Sequence, residues 1–447
     1  MFKKGRNATF CANSVVIKNN LSPTKAEQDL VTSLYAAFKS TLGDGCLLIG
    51  SYARFTASRP LHDLDILFVD GKFDPNNLHP QTILTNLQNN IQRNFQNPTK
   101  YETKISQQTH SITVSFFENG QEKFAVDIVP AYTSGSKNEY GDDVYWVPEI
   151  LKTGKRNRQA RYEEFSKTKK SELEWWLKSD PRGYIKAATD LNLQNSDFRK
   201  TAKLVKRWKH NCKSEDADFK LKSFHIEQAI FAIYKQNPRF DITDAIFKFF
   251  CDIPAIIARP QIKDRADQGK FIDEYVSSLT DEQKEKIIQA RDHFLIKLEN
   301  LSESPSVADL LKSGFYNRVS NTEAYLFDSR IPVFLEKENT FRIQGNVLPR
   351  DGGFRAKILD AIGLIEVDRK IEFRIIGNKP DADLFKWKVK NDDNSEQPRG
   401  EITDHQTLRD PEHSLYNGNH FTECYAIKDG VCIARAKQNV ILKSVFG

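Results

Sequence analysis

Apolar residues recur every three or four positions in some stretches of the chain and alternate with polar residues in others. In 24–41 and 80–96 the apolar positions share one helical face, whereas the short apolar runs at 46–49 and 61–69 predict strands. Further on, an alternating run, an Asn-Gly pair and the returning segment FAVDIVP predict a β-hairpin. The chain up to about residue 135 therefore predicts a mixed α/β domain.

From about residue 135 the chain becomes polar, and SGSKNEYGDD and LKTGKRNRQARYEE predict loops or an exposed crossing segment. Helical periodicity then dominates to about residue 315. The stretch 196–212 predicts a helix with Ser196 at its N-cap and a core face made of Phe198, Ala202, Val205 and Trp208. A capping box formed by Thr280 and Gln283 predicts the start of another long helix.

Beyond about residue 330 the period changes to short alternating runs such as LFKWKVK and VCIARAK, which predict strands. Asp429-Gly430 predicts the turn of a hairpin between the last two of them. These changes of pattern predict three domains, at 1–160, 161–325 and 330–447.

Composition narrows the class of protein only slightly. The net charge of +6 on 447 residues is compatible with a polyanionic ligand but too weak to indicate one. The six cysteines form no CxxC pair, so we expect neither a disulfide framework nor a zinc ribbon, and a cytoplasmic location fits best. No apolar run reaches 18 residues, so we expect no membrane span.

Two carboxylates stand at the head of a strand that a sheet should bury. Asp63 and Asp65 are two residues apart, so their side chains should lie on the same face. Two unit charges ~4 Å apart repel by roughly 4 kcal/mol at an effective dielectric near 20. Either one carboxyl is protonated or a cation lies between them, and an oxygen-preferring ion such as Mg²⁺ is the usual partner.

A third acid and a turn complete the pattern. Asp127 is isolated in the apolar run of the returning hairpin strand, and it would bring a third carboxylate to the site if the two strands are neighbours. Three carboxylates suit a two-metal site. Gly50 and Ser51 end the preceding strand, where backbone N–H groups and a hydroxyl can contact phosphate.

The order strand, Gly-Ser, eleven residues, Asp-x-Asp, strand, and a later solitary Asp resembles the DNA polymerase β-like nucleotidyltransferase superfamily. KLVKRWKHN at 203–211 and LKSFHIEQA at 221–229 are similar to the oligoadenylate synthase and bacterial CD-NTase branch. The resemblance covers roughly residues 25–320 and implies an α+β fold. In it, a catalytic core at 1–160 is joined by a helical lobe at 161–325 that completes the nucleotide-binding cleft.

The same resemblance implies roles for individual residues. The metal-binding catalytic triad would be Asp63, Asp65 and Asp127, with Asp127 also activating the acceptor hydroxyl. The residues implied to bind the nucleotide are Gly50 and Ser51 at the phosphate-contacting turn, Lys206 and Ser223 at the donor triphosphate, and Phe224 as a stacking surface for the base.

The activity implied is a transfer of nucleotides with release of pyrophosphate, using two Mg²⁺ ions, with Mn²⁺ as an alternative. The product would be a signalling oligonucleotide, cyclic or linear, read by a downstream effector in bacterial anti-phage defence. A template-independent polymerase and a toxin-like enzyme that modifies protein or tRNA stay open as alternatives. The zinc-binding His/Cys insertion of the animal DNA-sensing relative is missing from the sequence, and direct nucleic-acid binding and oligomeric state stay open.

The tail resembles the C-terminal sensor domain found on bacterial adenylyl/guanylyl cyclases and CD-NTases. LFKWKVKN, PRGEI and YNGNHFTECYAIKDGVCIA carry this resemblance. We expect a β-sandwich-like module at 330–447 that regulates the enzyme without contributing to its chemistry.

Overall fold

The computed structural model describes residues 21–150, 174–300, 307–335, 340–349, 355–404 and 411–443. The chain forms two compact units, one made of residues 1–288 and 306–313 and the other of 289–305 and 314–447. The predicted α+β class with a C-terminal sheet domain is confirmed. The division of the first unit into a catalytic core and a helical lobe stays a prediction.

The first unit combines one sheet with a set of helices. Its strands are β1 (Cys46–Ile49), β2 (Asp63–Lys72), β3 (Glu102–Gln107), β4 (Ile112–Glu118), β5 (Gln121–Lys137), β6 (Asp143–Ile150) and β7 (Glu174–Ser179). Its helices are α1 (Lys25–Leu42), α2 (Gly50–Ala53), α3 (Pro80–Asn94), α4 (Pro181–Gln194), α5 (Asp197–Glu215), α6 (Ser223–Gln236) and α7 (Ile242–Ile256). The helix α8 (Asp281–Glu299) supplies residues to both units, and the short α9 (Val307–Leu311) follows.

Local signals in the sequence account for these elements. Thr24 and Glu27 form a reciprocal capping box at the start of α1. Asn119 and Gly120 both adopt positive φ, of 55° and 73°, which is the backbone that a two-residue hairpin turn between β4 and β5 requires. The predicted capping box at Thr280 is also present, with Gln283 N–H donating to its hydroxyl at 3.2 Å.

The sheet has the order β1-β2-β5-β4-β3, and β6 pairs with both β5 and β7. Strands β2 and β5 run parallel, whereas their other partners in this sheet are antiparallel. One face is covered by α1 and α3, and there Leu64, Ile66 and Val126 are fully buried. Because side chains alternate, the residues between them on β2 and β5 lie on the opposite face.

The predicted core face of α5 is confirmed, because Phe198, Ala202, Val205 and Trp208 are all buried. The predicted N-cap is confirmed in position only. Ser196 has helical φ and ψ and makes no side-chain capping bond, and the N–H of Asp197 instead donates to Oδ1 of Asn195 at 3.0 Å. The Asn195 side chain therefore bonds to the first helical N–H, whereas a capping serine hydroxyl would accept from the second or third.

The second unit contains two sheets. Its elements are β8 (Arg342–Val347), β9 (Lys357–Ile358), α10 (Leu359–Ile362), β10 (Ile365–Glu366), β11 (Arg369–Ile376), β12 (Leu384–Lys390), β13 (Gly400–Thr403), β14 (Glu412–Ser414), β15 (Gly418–Lys428) and β16 (Val431–Lys443). The sheets have the orders β10-β16-β15-β12-β13 and β14-β11-β8-β9, and residues from both share one core. The predicted turn at Asp429-Gly430 joins β15 to β16 with φ of 50° and 73°.

Within the described ranges, none of the helices has the length and apolar character needed to cross a bilayer.

Candidate functional site

Backbone register places the three acids on one face of the sheet. Asp65 on β2 lies directly beside Asp127 on β5, and Asp63 pairs with Ala125. Because Asp63 is two residues from Asp65 on the same strand, its side chain points to the same side. The neighbouring strands that the sequence required are therefore present, and the acids lie on the face not covered by α1 and α3.

The glycine after β1 makes room for one of these acids. Ile49 pairs with Asp65, and the next residue, Gly50, adopts φ of +70°. A Cβ at Gly50 would lie 1.7 Å from Oδ2 of Asp65. Any other residue would displace this carboxylate as well as strain the backbone.

The Gly-Ser turn leads into a short, well-tied segment. Ser51 lies in α2, and its carbonyl accepts hydrogen bonds from the N–H groups of Thr56 at 2.9 Å and Ala57 at 3.1 Å. The turn predicted to contact phosphate thus lies against Asp65 near the start of β2 and is closed by its own backbone bonds.

Burial and mutual repulsion raise the pKa values of two acids on this face. Burial, with Asp63 and Asp127 nearby, raises the pKa of the Asp65 carboxyl to about 7. Burial also raises the pKa of Asp127, although the Thr113 hydroxyl donates a hydrogen bond to it. This donor set, oxygen-only and mutually repelling, fits a divalent cation.

The side chains themselves do not yet form a complete set of ligands. Within the ranges that the structure describes, no group of three or more His, Cys, Asp or Glu side chains is placed so that it could hold a metal ion. The backbone register places the acids on one face of the sheet, but their side chains contact other groups. Asp65 packs on Gly50, and Asp127 accepts a hydrogen bond from the Thr113 hydroxyl. The metal-binding role of the triad therefore stays a prediction.

Lys206 lies in a buried charge network. Its ammonium contacts the Glu227 carboxylate and lies 3.0 Å from the hydroxyl of Thr56. Arg54 approaches the same carboxylate from the loop after α2. Lys206 is only 5% exposed, so its contacts in this structure are protein groups, and its role at a triphosphate stays a prediction.

Although burial acts to raise it, the cations Lys206 and Arg54 lower the pKa of the Glu227 carboxyl to about 2. Through these two ion pairs, Glu227 on α6 connects Arg54, which follows α2, with Lys206 on α5. Sequence inspection missed Glu227 and Arg54, since 173 residues separate the two partners.

Lys209 belongs to the basic surface of α5, and the sequence assigned it no individual role. It lies one helical turn after Lys206, and its Nζ is 3.2 Å from the hydroxyl of Ser223. Burial lowers the pKa of Lys209 to about 8, whereas the charge of Asp63 acts to raise it. The structure therefore brings Ser223 together with Lys209, near the acidic face. The i, i+3 spacing from Lys206 was the available signal.

Phe224 is the second residue of α6, next to Ser223, and is partly buried. Its ring meets the Tyr184 ring edge-on at 5.1 Å, and the Arg54 guanidinium lies 4.9 Å from its centroid. The base-stacking role of Phe224 stays a prediction.

Comparison with known proteins agrees with the resemblances drawn from sequence. Residues 320–443 match the family described as the Adenylyl/Guanylyl and SMODS C-terminal sensor domain, which confirms the predicted identity of the tail. No curated protein matches the chain.

Similar solved structures are CD-NTases, the branch that the sequence resembles. Escherichia coli MS115-1 CdnC with ATP is 17% identical, covers 69% of this chain and 98% of its own, and gives a TM-score of 0.48. Bradyrhizobium diazoefficiens CdnG with GTP is 13% identical, with coverage of 67% and 97% and a TM-score of 0.41. The Elizabethkingia meningoseptica CdnE cyclic dinucleotide synthase is 14% identical, with coverage of 58% and 88% and a TM-score of 0.37. The likeness is distant, so residue roles rest on the geometry of this chain.

Proposed function

We propose that this protein is a metal-dependent nucleotidyltransferase that joins nucleoside triphosphates into a signalling oligonucleotide, cyclic or linear, and releases pyrophosphate. The observation that carries the proposal is the pairing of Asp65 with Asp127 next to the Gly50-Ser51 turn. A strand pair that carries acids beside a Gly-Ser turn suits phosphoryl chemistry better than structural support, because the acids destabilise one another.

Asp63, Asp65 and Asp127 would hold the two Mg²⁺ ions, with Mn²⁺ as an alternative. When bound, such ions activate the attacking hydroxyl and neutralise the charge that develops on the departing phosphates. The Gly50 cradle supports this assignment, since it positions one oxygen of Asp65 within a space that admits no side chain.

The remaining residues would bind and orient the donor. Backbone N–H groups at Gly50-Ser51 and the Lys209–Ser223 pair would contact the triphosphate oxygens. Asp127 would accept the proton of the acceptor hydroxyl. The hydroxyl oxygen would then bond to the α-phosphorus of the donor while the bond from that phosphorus to pyrophosphate breaks. The raised pKa of Asp127 supports its role as proton acceptor.

The biological setting is also part of the proposal. We infer a cytoplasmic enzyme whose product is read by a separate effector in defence against phage. The sensor-domain match at 320–443 supports a signalling role for a chain that carries a transferase-like unit before it.

Substitution of the acids, one at a time, tests the activity. We expect Asp63→Asn, Asp65→Asn and Asp127→Asn each to lower pyrophosphate release from a mixture of triphosphates by roughly 10³-fold or more, because each removes a ligand of the charge-stabilising ions. Asp70→Asn is the matched control, since Asp70 lies on the same strand near its exposed end. Release at the wild-type rate by Asp65→Asn would overturn the proposal.

A further inference from the structure

One edge of the five-stranded sheet in the second unit is only partly paired. Strand β16 pairs with β15 along one side, whereas on its other side the partners lie near its two ends. Near its start the Pro332 carbonyl accepts from the N–H of Cys432 at 2.9 Å, and at its end β10 pairs with Leu442 and Lys443. Among the residues that the structure describes, none pairs with the stretch 434–440 on this side.

The register shows which backbone groups this edge presents. The carbonyl of Ile427 on β15 accepts from the N–H of Asp383 on the side away from β16, and its partner Cys432 likewise bonds away from β15. Hydrogen-bonding direction alternates along a strand, so the residues two, four and six positions before Ile427 share its direction. Their partners on β16 are Arg435, Lys437 and Asn439. These three residues therefore direct their N–H and C=O groups to the unpaired edge.

A cavity of about 540 Å³ lies along this edge, between β16 and β8. The consecutive residues 435–439 all line it, which identifies its wall as the strand edge, because one face of a strand would supply only alternate residues. Its floor is apolar, since Phe341, Ile343 and Leu359 line it and each is less than 10% exposed. The cavity therefore borders both an unpaired strand edge and a buried apolar surface.

The side chains along the edge alternate between two environments. Ala436 is buried on the core side. Arg435 and Lys437 lie on the opposite face, where Arg435 donates to the Asn300 amide oxygen at 3.1 Å and the Lys437 ammonium lies 3.6 Å from the Phe421 ring centroid. A strand added at this edge would therefore place one row of side chains over the apolar floor and the other row beside two cations.

We propose that this edge binds an extended segment of a protein partner, which joins the sheet as a further strand next to β16. In strand addition, main-chain hydrogen bonds supply affinity and alternate side chains supply specificity. The segment alternates apolar and acidic residues, so that the apolar row covers the floor and the acidic row lies beside Arg435 and Lys437. All of these residues belong to the second unit, so the site is distinct from the proposed transferase site.

The same cations disfavour a second copy of this chain as the occupant. Two β16 strands that pair about a two-fold axis at Lys437 would place lysine opposite lysine. Like charges directly opposite one another destabilise a strand pair, and an exposed lysine on an edge opposes self-association. Acidic side chains on a partner instead form favourable cross-strand pairs with both cations.

Fluorescence anisotropy with synthetic peptides tests the partner class on the full-length chain. The probe is a peptide that alternates glutamate and valine, in EDTA and without nucleotide, so the result does not depend on transferase activity. We expect saturable binding, weakened roughly tenfold or more in a lysine–valine peptide and in the same peptide with N-methylated backbone amides. Absence of binding, or equal binding of all three peptides, would overturn the proposal.

Hydrogen exchange locates the contact. The amides of Arg435, Lys437 and Asn439 should exchange rapidly in the free chain and be slowed by the glutamate–valine peptide, whereas Ala436 and Gln438, which bond to β15, should be protected in both states. Protection of the first three amides in the free chain would overturn the proposal, and its loss on dilution of a dimer would assign the edge to a second copy.

Charge reversal tests the predicted acidic row. Lys437→Glu should weaken binding of the glutamate–valine peptide roughly tenfold and strengthen binding of the lysine–valine peptide. Lys370→Glu is the matched control, because Lys370 is an exposed lysine of the same unit on β11, which is paired on both sides. Equal effects of the two variants would refute the inference.

Discussion

Removal of the charge on Glu227 should destabilise the first unit strongly. The Glu227 side chain is 0% exposed, and it neutralises Lys206 and Arg54, which are 5% and 8% exposed. Glu227→Gln keeps the shape and one acceptor oxygen but leaves two buried cations without a counter-charge. Breaking such a buried pair from one side typically costs about 3–5 kcal/mol.

The pKa of Glu227 gives a second route to the magnitude. A shift from 4.5 to about 2 corresponds to roughly 3 kcal/mol at about 1.4 kcal/mol per pH unit. Because the folded-state pKa is lowered, this stability is present above the unfolded pKa of 4.5 and is lost as the pH falls toward 2. Both routes predict a loss of about 3–4 kcal/mol at pH 7.

Urea unfolding followed by tryptophan fluorescence measures this loss. Asp29→Asn is the matched control, because its partner Lys25 forms an exposed pair with side chains 82% and 60% accessible, and such pairs are worth less than about 1 kcal/mol. Adding Lys206→Gln to Glu227→Gln should recover part of the loss, since one uncompensated cation disappears. A Glu227→Gln protein that is as stable as the Asp29→Asn control would refute the reasoning.

Three further outcomes follow from the structure. Gly50→Ala should cost more stability and activity than Gly43→Ala, because both have positive φ but only Gly50 has a carboxylate in the space of a Cβ; equal thermal unfolding shifts would contradict this. Lys209→Ala should lower kcat/KM for triphosphates by roughly 10- to 100-fold, whereas Lys200→Ala on the same helix should have little effect, and equal losses in a steady-state assay would indicate only a diffuse basic surface. Burial raises the pKa of the Glu299 carboxyl to about 7, so the stability of the wild type should decrease as the pH rises from 4.5 to 7. Glu299→Gln should therefore unfold at a higher temperature than the wild type at pH 8 but not at pH 4.

Much of the first unit could be predicted from sequence because its signals are local. The Asn119-Gly120 turn and the alternating run before it determine the hairpin, and the Asp-x-Asp spacing puts two acids on one face of a strand. The position of Asp127 beside Asp65 depends on the pairing of two strands that are distant in the sequence. The family resemblance implied that pairing, and the structure shows it.

Contacts between distant parts of the chain could not be predicted. Glu227 lies 21 residues from Lys206 and 173 from Arg54, so no local sequence pattern indicates that they interact. They pair because the fold buries all three charges at the same place. Strands β6 and β7 were missed because DVYWVPEI lies between two polar stretches that predict loops, and EWWLKS is a short run just before a region of helical periodicity. Ser196 was the expected cap of α5, but its hydroxyl makes no capping bond, and the side chain of Asn195 accepts from the N–H of Asp197 at the start of the helix.

The most direct test of the transferase proposal is mass spectrometry of the products formed when the purified chain is incubated with all ribo- and deoxyribonucleoside triphosphates and Mg²⁺ or Mn²⁺. We predict short oligonucleotides, cyclic or linear, together with pyrophosphate, and no such products from Asp65→Asn. Long heterogeneous polymers would favour the template-independent polymerase, and nucleotide attached to added tRNA or protein would favour the toxin-like alternative. Absence of any nucleotide product from a folded, metal-loaded protein, or identical products from Asp65→Asn, would contradict the account.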